Sequence, residues 1–244
     1  KELSGLVVFL RPLASDFLQY LEGVADLFFD TTDGELVVAE QEGVIGGFGR
    51  LSILYDGSAW LETLRVDPAF QRRGFGTAIW DRYLALCDHF HAPAVRMYTG
   101  EHNVASATLA ARKGLTVALR TVEGNLSLDT VPLPSDPPIF CPIDDLEEIV
   151  AQCERQKDIY HGYFCQNRTF YKMASPLYRG LWERGMVYHM GDTALVLGTR
   201  FLPEHALHFS PLEGDLPQAI AYAVAQGKKR GVPKLTCMIP SDRI

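Results

Sequence analysis

The sequence predicts an α+β protein: a mixed, mostly antiparallel central sheet flanked by helices, with that unit duplicated in tandem. Three observations predict it. Short strand-like runs joined by tight turns fill residues 35–66, as in an antiparallel meander. Two amphipathic helical stretches follow, with one short strand between them. After a stretch rich in proline, the order strand, strand, strand, helix, strand recurs, which is the pattern of an internal repeat.

In the first half, Glu35–Glu40 and Val44–Leu54 read as strands joined by a turn at Gln41-Glu42-Gly43. Asp56-Gly57 is a second turn signal, and Trp60–Val66 is the third strand. Across Phe75–Phe90 the apolar residues Ile79, Tyr83, Leu84 and Cys87 recur at helical spacing. Pro93 breaks that run, and Ala94–Tyr98 reads as a strand. Asn103–Lys113 is a second helix, ended by Gly114 where a left-handed residue is favoured. Leu115–Arg120 and Asn125–Leu128 read as strands closing the first sheet. Upstream, Leu6–Leu10 reads as a strand and Ala14–Leu21 as a helix.

Residues 129–138 hold four prolines, too many for a helix or a central strand, and read as a linker. The expected domains are therefore 1–130 and 139–244. In the second, Ile143–Gln156 is a helix with Asp144 and Asp145 in its first turn. Arg168–Arg184 reads as a helix broken at Pro176. Met186–Met190, Thr193–Phe201 and Ala206–Phe209 read as strands, then Leu216–Arg230 as a helix with Pro217 tolerated in its first turn, and Lys234–Ile239 as a last strand. The aromatic residues from Tyr160 to Trp182 read as core, with part of the group as an alternative acceptor wall.

The 244 residues are 47% apolar and 22% charged, the balance of a globular chain with a sizeable core. Net charge is −7. Residues 1–134 hold 11 basic and 17 acidic side chains and residues 135–244 hold 12 and 13, so neither half is a basic module and no nucleic-acid partner is expected. No apolar run is long enough to cross a membrane, and no leader peptide is evident. The 5 cysteines form no Cys-x-x-Cys pair, so neither a zinc site nor a disulfide framework is expected. Free thiols fit a reducing, cytoplasmic setting.

The run that carries chemistry joins the third strand to the first helix: Val66-Asp67-Pro68-Ala69-Phe70-Gln71-Arg72-Arg73-Gly74-Phe75-Gly76-Thr77. Gly74 and Gly76 bare the backbone at the turn, so that successive amides can converge on an anion. The positive end of the helix points to the same place, and Arg72 and Arg73 add charge. The run lacks the third glycine of a dinucleotide-binding turn and the Gly-Lys-Ser/Thr of a Walker loop.

Gln71-Arg72-Arg73-Gly74-Phe75-Gly76, followed by Asn103, Leu109, Gly114 and Leu115, resembles the motif set of the GNAT superfamily of N-acetyltransferases over about residues 35–128. The resemblance implies the acyl-CoA N-acyltransferase fold, with acetyl-CoA as acyl donor and no metal. It implies that Gln71 and the amides of Arg72, Arg73, Gly74, Phe75, Gly76 and Thr77 form the pyrophosphate cradle. It further implies that backbone groups of Leu64 and Val66 pair with the pantetheine arm, that one of their amides holds the developing oxyanion, and that Asn103 contacts the arm from the other side.

An amine attacks a thioester as a neutral nucleophile, so a base is needed. Strand alternation places Trp60, Glu62, Leu64 and Val66 on one face, which makes Glu62 the candidate base, acting through water. The alternative is that Glu62 only orients substrate or pairs with an arginine. Many family members carry a tyrosine as general acid seven residues after the asparagine; here that position is Ala110. Tyr98 is the candidate substitute, unless it merely packs with its hydroxyl in water. The corresponding turn of the second half, Ser210 to Asp215, has one glycine, two acids and no arginine, which marks a degenerate lobe without the donor.

The function expected is acetyl transfer to the amine of a small or amino-acid-like acceptor. The alternatives are a CoA-binding sensor without turnover and an acetyltransferase of peptides or proteins. A homodimer is left open.

Overall fold

The computed structural model describes residues 28–29, 32–200 and 202–243. The expected elements at Leu6–Leu10 and Ala14–Leu21 lie outside the described residues. The chain forms two compact units that divide between Thr116 and Val117. This break falls ahead of the proline-rich stretch at which the sequence suggested a boundary.

In the first unit, β1 (Gly34–Gln41), β2 (Val44–Ile53) and β3 (Ala59–Val66) form the antiparallel meander. The chain then runs through a short turn of 3-10 helix, Pro68–Phe70, into helix α1 (Phe75–His89) and returns to β4 (Val95–Met97). β4 lies parallel to β3 and gives the sheet order β1-β2-β3-β4. Helix α2 (Val104–Arg112) follows. Ile79, Trp80, Tyr83 and Leu86 of α1 pack on Val37, Leu51, Ala59 and Leu61 to form the core of this unit. That packing is what makes the α1 periodicity legible in the sequence.

Residues 115–120, expected as a strand, have no regular structure. The next segment, β5 (Thr121–Ser127), is a strand but not one of the first sheet. It pairs antiparallel along its whole length with β12 (Lys234–Pro240), from Thr121↔Pro240 to Ser127↔Lys234. The alternation of a strand defines its faces but not which open edge it joins, so the sequence reading assigned the strand to the wrong sheet.

The second unit has sheet order β5-β12-β11-β10-β9-β6, with β6 (Cys141–Pro142), β9 (Val187–Met190), β10 (Thr193–Gly198) and β11 (Leu207–Glu213). Helix α3 (Leu146–Gln156) is capped by Asp145, which accepts from the Glu147 amide at 2.8 Å. The helix expected over Arg168–Arg184 is instead a hairpin of β7 (Tyr163–Gln166) and β8 (Thr169–Lys172) followed by α4 (Ser175–Glu183). Pro176 starts α4 rather than breaking it, because the first turn of a helix needs no amide from proline. Helix α5 (Leu216–Lys229) crosses between β11 and β12, which run parallel. The sequence β9, β10, β11, α5, β12 thus repeats the pairing pattern of β1, β2, β3, α1, β4. All five cysteines are free thiols.

Candidate functional site

The site is built where β3 ends and α1 begins. Asp67 closes the intervening turn by accepting from the Ala69 amide at 2.8 Å. Arg72 and Gly74 then take left-handed backbone conformations, φ 59° and 92°. Gly74 is the residue before the helix, and no side chain caps it. By contrast, Asn103, Asp145 and Asp215 each cap their own helix with a side-chain oxygen. The first amides of α1 have no carbonyl one turn back, so the positive end of the helix is open to an anion. Arg73 lies over the Phe70 ring, 5.1 Å from its centroid, and donates to Gln41 Oε1 at 2.9 Å. Gln71, Arg72 and Arg73 are all exposed. Gly76 sits in the first turn of α1, where a Cβ would touch Leu109 Cδ2 at 3.5 Å and Val66 Cγ2 at 3.8 Å.

β3 and β4 pair at only three positions, the last being Leu61↔Met97. Beyond it the strands part, and Glu62 and Tyr98 are the residues that follow on either side. Asp67 donates its amide to Gly46 of β2 at 2.9 Å, so by alternation the main-chain groups of Val66 and Leu64 point away from β2, toward the gap. There the Leu64 carbonyl accepts from the Arg65 guanidinium at 2.9 Å, and the Val66 carbonyl from Gln71 Nε2 at 3.4 Å.

The structure corrects one expectation about this strand. Glu62, Leu64 and Val66 do not share a face. Opposite β3, the β2 register steps from Phe48↔Arg65 to Arg50↔Glu62, so Gly49 faces both Thr63 and Leu64. This is a β-bulge, and Thr63 within it has φ 59°. The extra residue turns Leu64, with Leu61, onto the α1 side. Val66 also faces that side; it and Ile79 would both meet a Cβ at Gly47. Glu62 stays on the opposite face.

On that face Glu62 joins a polar chain that the sequence reading missed. Arg50 is fully buried, and it donates to Ser52 Oγ at 3.0 Å, to the Phe28 carbonyl at 2.8 Å and to Asp33 at 3.1 Å. Ser52 in turn donates to Glu62 Oε1 at 2.6 Å. The available signal was an arginine and a serine alternating on an otherwise apolar strand, which buries them on one face. Tyr83 is also buried, and burial, with the Glu62 charge adding to it, pushes its phenol well above the usual range, so it remains a donor.

Asn103 caps α2, accepting from the Ser106 amide at 3.2 Å. Ala110 lies in the core cluster of the first unit. In the second unit the equivalent turn also has a left-handed glycine, Gly214, with φ 84°. There, however, the Asp215 carboxylate accepts from the Gln218 amide at 2.9 Å and so occupies the helix end with negative charge. Among the described residues no group of His, Cys, Asp and Glu could hold a metal ion, and no helix is long and apolar enough to cross a membrane.

A parted pair of parallel strands beside an uncapped, glycine-entered helix defines an acyltransferase-type fold. Residues 8–115 match the Acetyltransferase (GNAT) family. A proposed acetyltransferase from Thermoplasma acidophilum shares the fold over 93% of this chain and 78% of its own, with 14% identity and a TM-score of 0.56. The aminoglycoside N-acetyltransferase AAC(6')-Iy, in complex with CoA, aligns over 42% of this chain and 89% of its own, at 20% identity and a TM-score of 0.37. A proposed streptothricin acetyltransferase from Bacillus anthracis, in complex with acetyl coenzyme A, aligns over 43% of this chain and 56% of its own, at 22% identity and a TM-score of 0.36. No curated protein matches the chain in sequence.

Proposed function

We propose that the first unit transfers the acetyl group of acetyl-CoA to the amine of a small or amino-acid-like acceptor. The observation that carries this reading is the uncapped start of α1, entered through Gly74 at φ 92° directly after Arg72 and Arg73. The amides from Arg72 to Thr77 would hold the pyrophosphate, and the Leu64 and Val66 backbone would receive the pantetheine arm along the open edge of β3. The Arg65 and Gln71 side chains then leave those carbonyls to the arm. Asn103 keeps its cap on α2, and its contact with the arm comes from the same helix end.

In the reaction, the acceptor nitrogen attacks the thioester carbon and loses a proton to Glu62, through water. The Ser52 hydroxyl has one proton and gives it to Glu62 Oε1, so that oxygen is held as an acceptor. An amide of Leu64 or Val66 stabilises the oxyanion. Tyr98, next to the parting of the strands, supplies a proton to the leaving thiolate. The second unit serves without donor, since Asp215 already fills the helix end where a pyrophosphate would bind.

A CoA-binding sensor without turnover is favoured by one observation, the buried Ala110 where the family's acid tyrosine is common. Acetyl-CoA with a panel of primary amines, followed by thiol release, decides between the two. Product from at least one amine, lost with Glu62→Gln, supports the transferase; CoA binding with no product from any amine supports the sensor.

A further inference from the structure

We propose that Tyr83 is a positioning residue for the donor: its hydroxyl props the bulge of β3 and so aims the Leu64–Val66 backbone at the pantetheine arm. This rests on reading the open edge of β3 as the donor site.

Tyr83 comes from the third turn of α1, on the side of the sheet away from Glu62, and is 1% exposed. Its hydroxyl rests against the sheet at Gly49, where an added Cβ would lie 1.9 Å from the hydroxyl oxygen and 3.2 Å from Leu64 Cα. Only glycine leaves that space. The hydroxyl donates to the Glu62 carbonyl at 3.4 Å, just before the bulge. Thr63, the next residue, has φ 59°, a conformation that a β-branched side chain rarely adopts. Strain of this kind persists only where the surroundings over-determine it. Here the surroundings include the Tyr83 oxygen, the missing side chain at Gly49 and the carbonyl that the hydroxyl meets.

The bulge has a consequence for binding. It lies between the last β3–β4 pair, Leu61↔Met97, and the two residues whose main-chain groups face the gap. Without it, Leu64 and Val66 would exchange faces with their neighbours, and their amides and carbonyls would turn toward β2. A single buried phenol thus sets which backbone groups meet the donor.

The test is a calorimetric titration with CoA, beside a thermal melt, on four forms of the full chain: wild type, Tyr83→Phe, Thr63→Gly and the double variant. Tyr83→Phe weakens CoA about tenfold, the change that ~1.4 kcal/mol produces. Thr63→Gly alone binds within about twofold of wild type, because glycine takes a positive φ at no steric cost. The double variant recovers most of the lost affinity, since its bulge no longer needs the prop. A lower melting temperature with unchanged affinity in Tyr83→Phe, or a double variant as weak as the single, overturns the proposal. If Tyr83→Phe alone does not fold, the double variant compared with Thr63→Gly reads the same contrast, and a tenfold gap between them overturns it. Wild-type protein that binds no CoA overturns the donor site itself, a separate failure seen before any variant is compared.

Discussion

Ser52 Oγ lies 2.6 Å from Glu62 Oε1, and its own lone pair is taken by Arg50 Nε at 3.0 Å. The two bonds together fix the direction of the serine proton. A guanidinium can only donate, so the hydroxyl accepts from Arg50 and gives to Glu62. The candidate base is therefore oriented by a residue two positions along β2 from a fully buried arginine.

Glu62→Gln lowers turnover about a hundredfold, in the range expected for loss of a general base. Ser52→Ala lowers it about tenfold with little change in KM for acetyl-CoA. In the Glu62→Gln background Ser52→Ala has no further effect, because the serine acts only through the carboxylate. Steady-state acetyl transfer across the four forms measures this; fully additive losses would contradict the coupling.

Arg50→Ala destabilises the first unit by about 3 kcal/mol, as expected when one partner of a buried charged network is removed and the rest are left unpaired. The Phe28 carbonyl and Ser52 lose their donor, and a void remains beneath the sheet. Urea denaturation reads the change, and a loss below ~1 kcal/mol would mean that the network is solvated.

The two glycines of the proposed cradle separate stability from binding. Gly74→Ala meets no atom within 4 Å, so its cost is the left-handed φ alone, about 1 kcal/mol of stability. CoA affinity falls with it. Gly76→Ala sits within a helix and gains about 0.5–1 kcal/mol of stability from better propensity. Its methyl nevertheless presses on Leu109 and Val66 in the first turn of α1, where the proposed cradle is built, so CoA affinity falls here too. Melting and titration in opposite directions for Gly76→Ala is the diagnostic result.

The second unit carries a pH dependence of its own. His208 is buried between Ser210 Oγ and Thr236 Oγ1, each 3.2 Å from a ring nitrogen. Burial pulls its pKa down from 6.5 to about 4. The unfolded chain therefore takes up the proton first as pH falls. Stability is full above pH 6.5, declines between 6.5 and about 4, and is flat with respect to this group below that. The shift corresponds to about 3 kcal/mol over the window. Denaturation at pH 7 and pH 4.5 measures the loss, and His208→Gln removes most of it.

Much of the fold was legible because its signals are local. The β1–β3 meander is marked by strand-like runs between tight turns, α1 and α5 repeat at helical spacing, and the Gln71 to Gly76 run carries its own turn chemistry. The hairpin at β7 and β8 was misread because its aromatic residues suit a helix face as well as a strand. Pro176 was misread because proline ends one helix and begins another by the same missing amide.

By itself, then, the sequence determined the glycine-entered helix and the arginines beside it, since each depends only on neighbours in the chain. Tertiary structure alone decided that Glu62 turns away from Leu64, that Ser52 holds it, and that β5 completes the sheet of the second unit. Each of those depends on a contact between segments far apart in sequence. At the bulge, Thr63 lies beside the point where a phenol from residue 83 meets a missing side chain at residue 49, and no short window of helix or strand length contains all three.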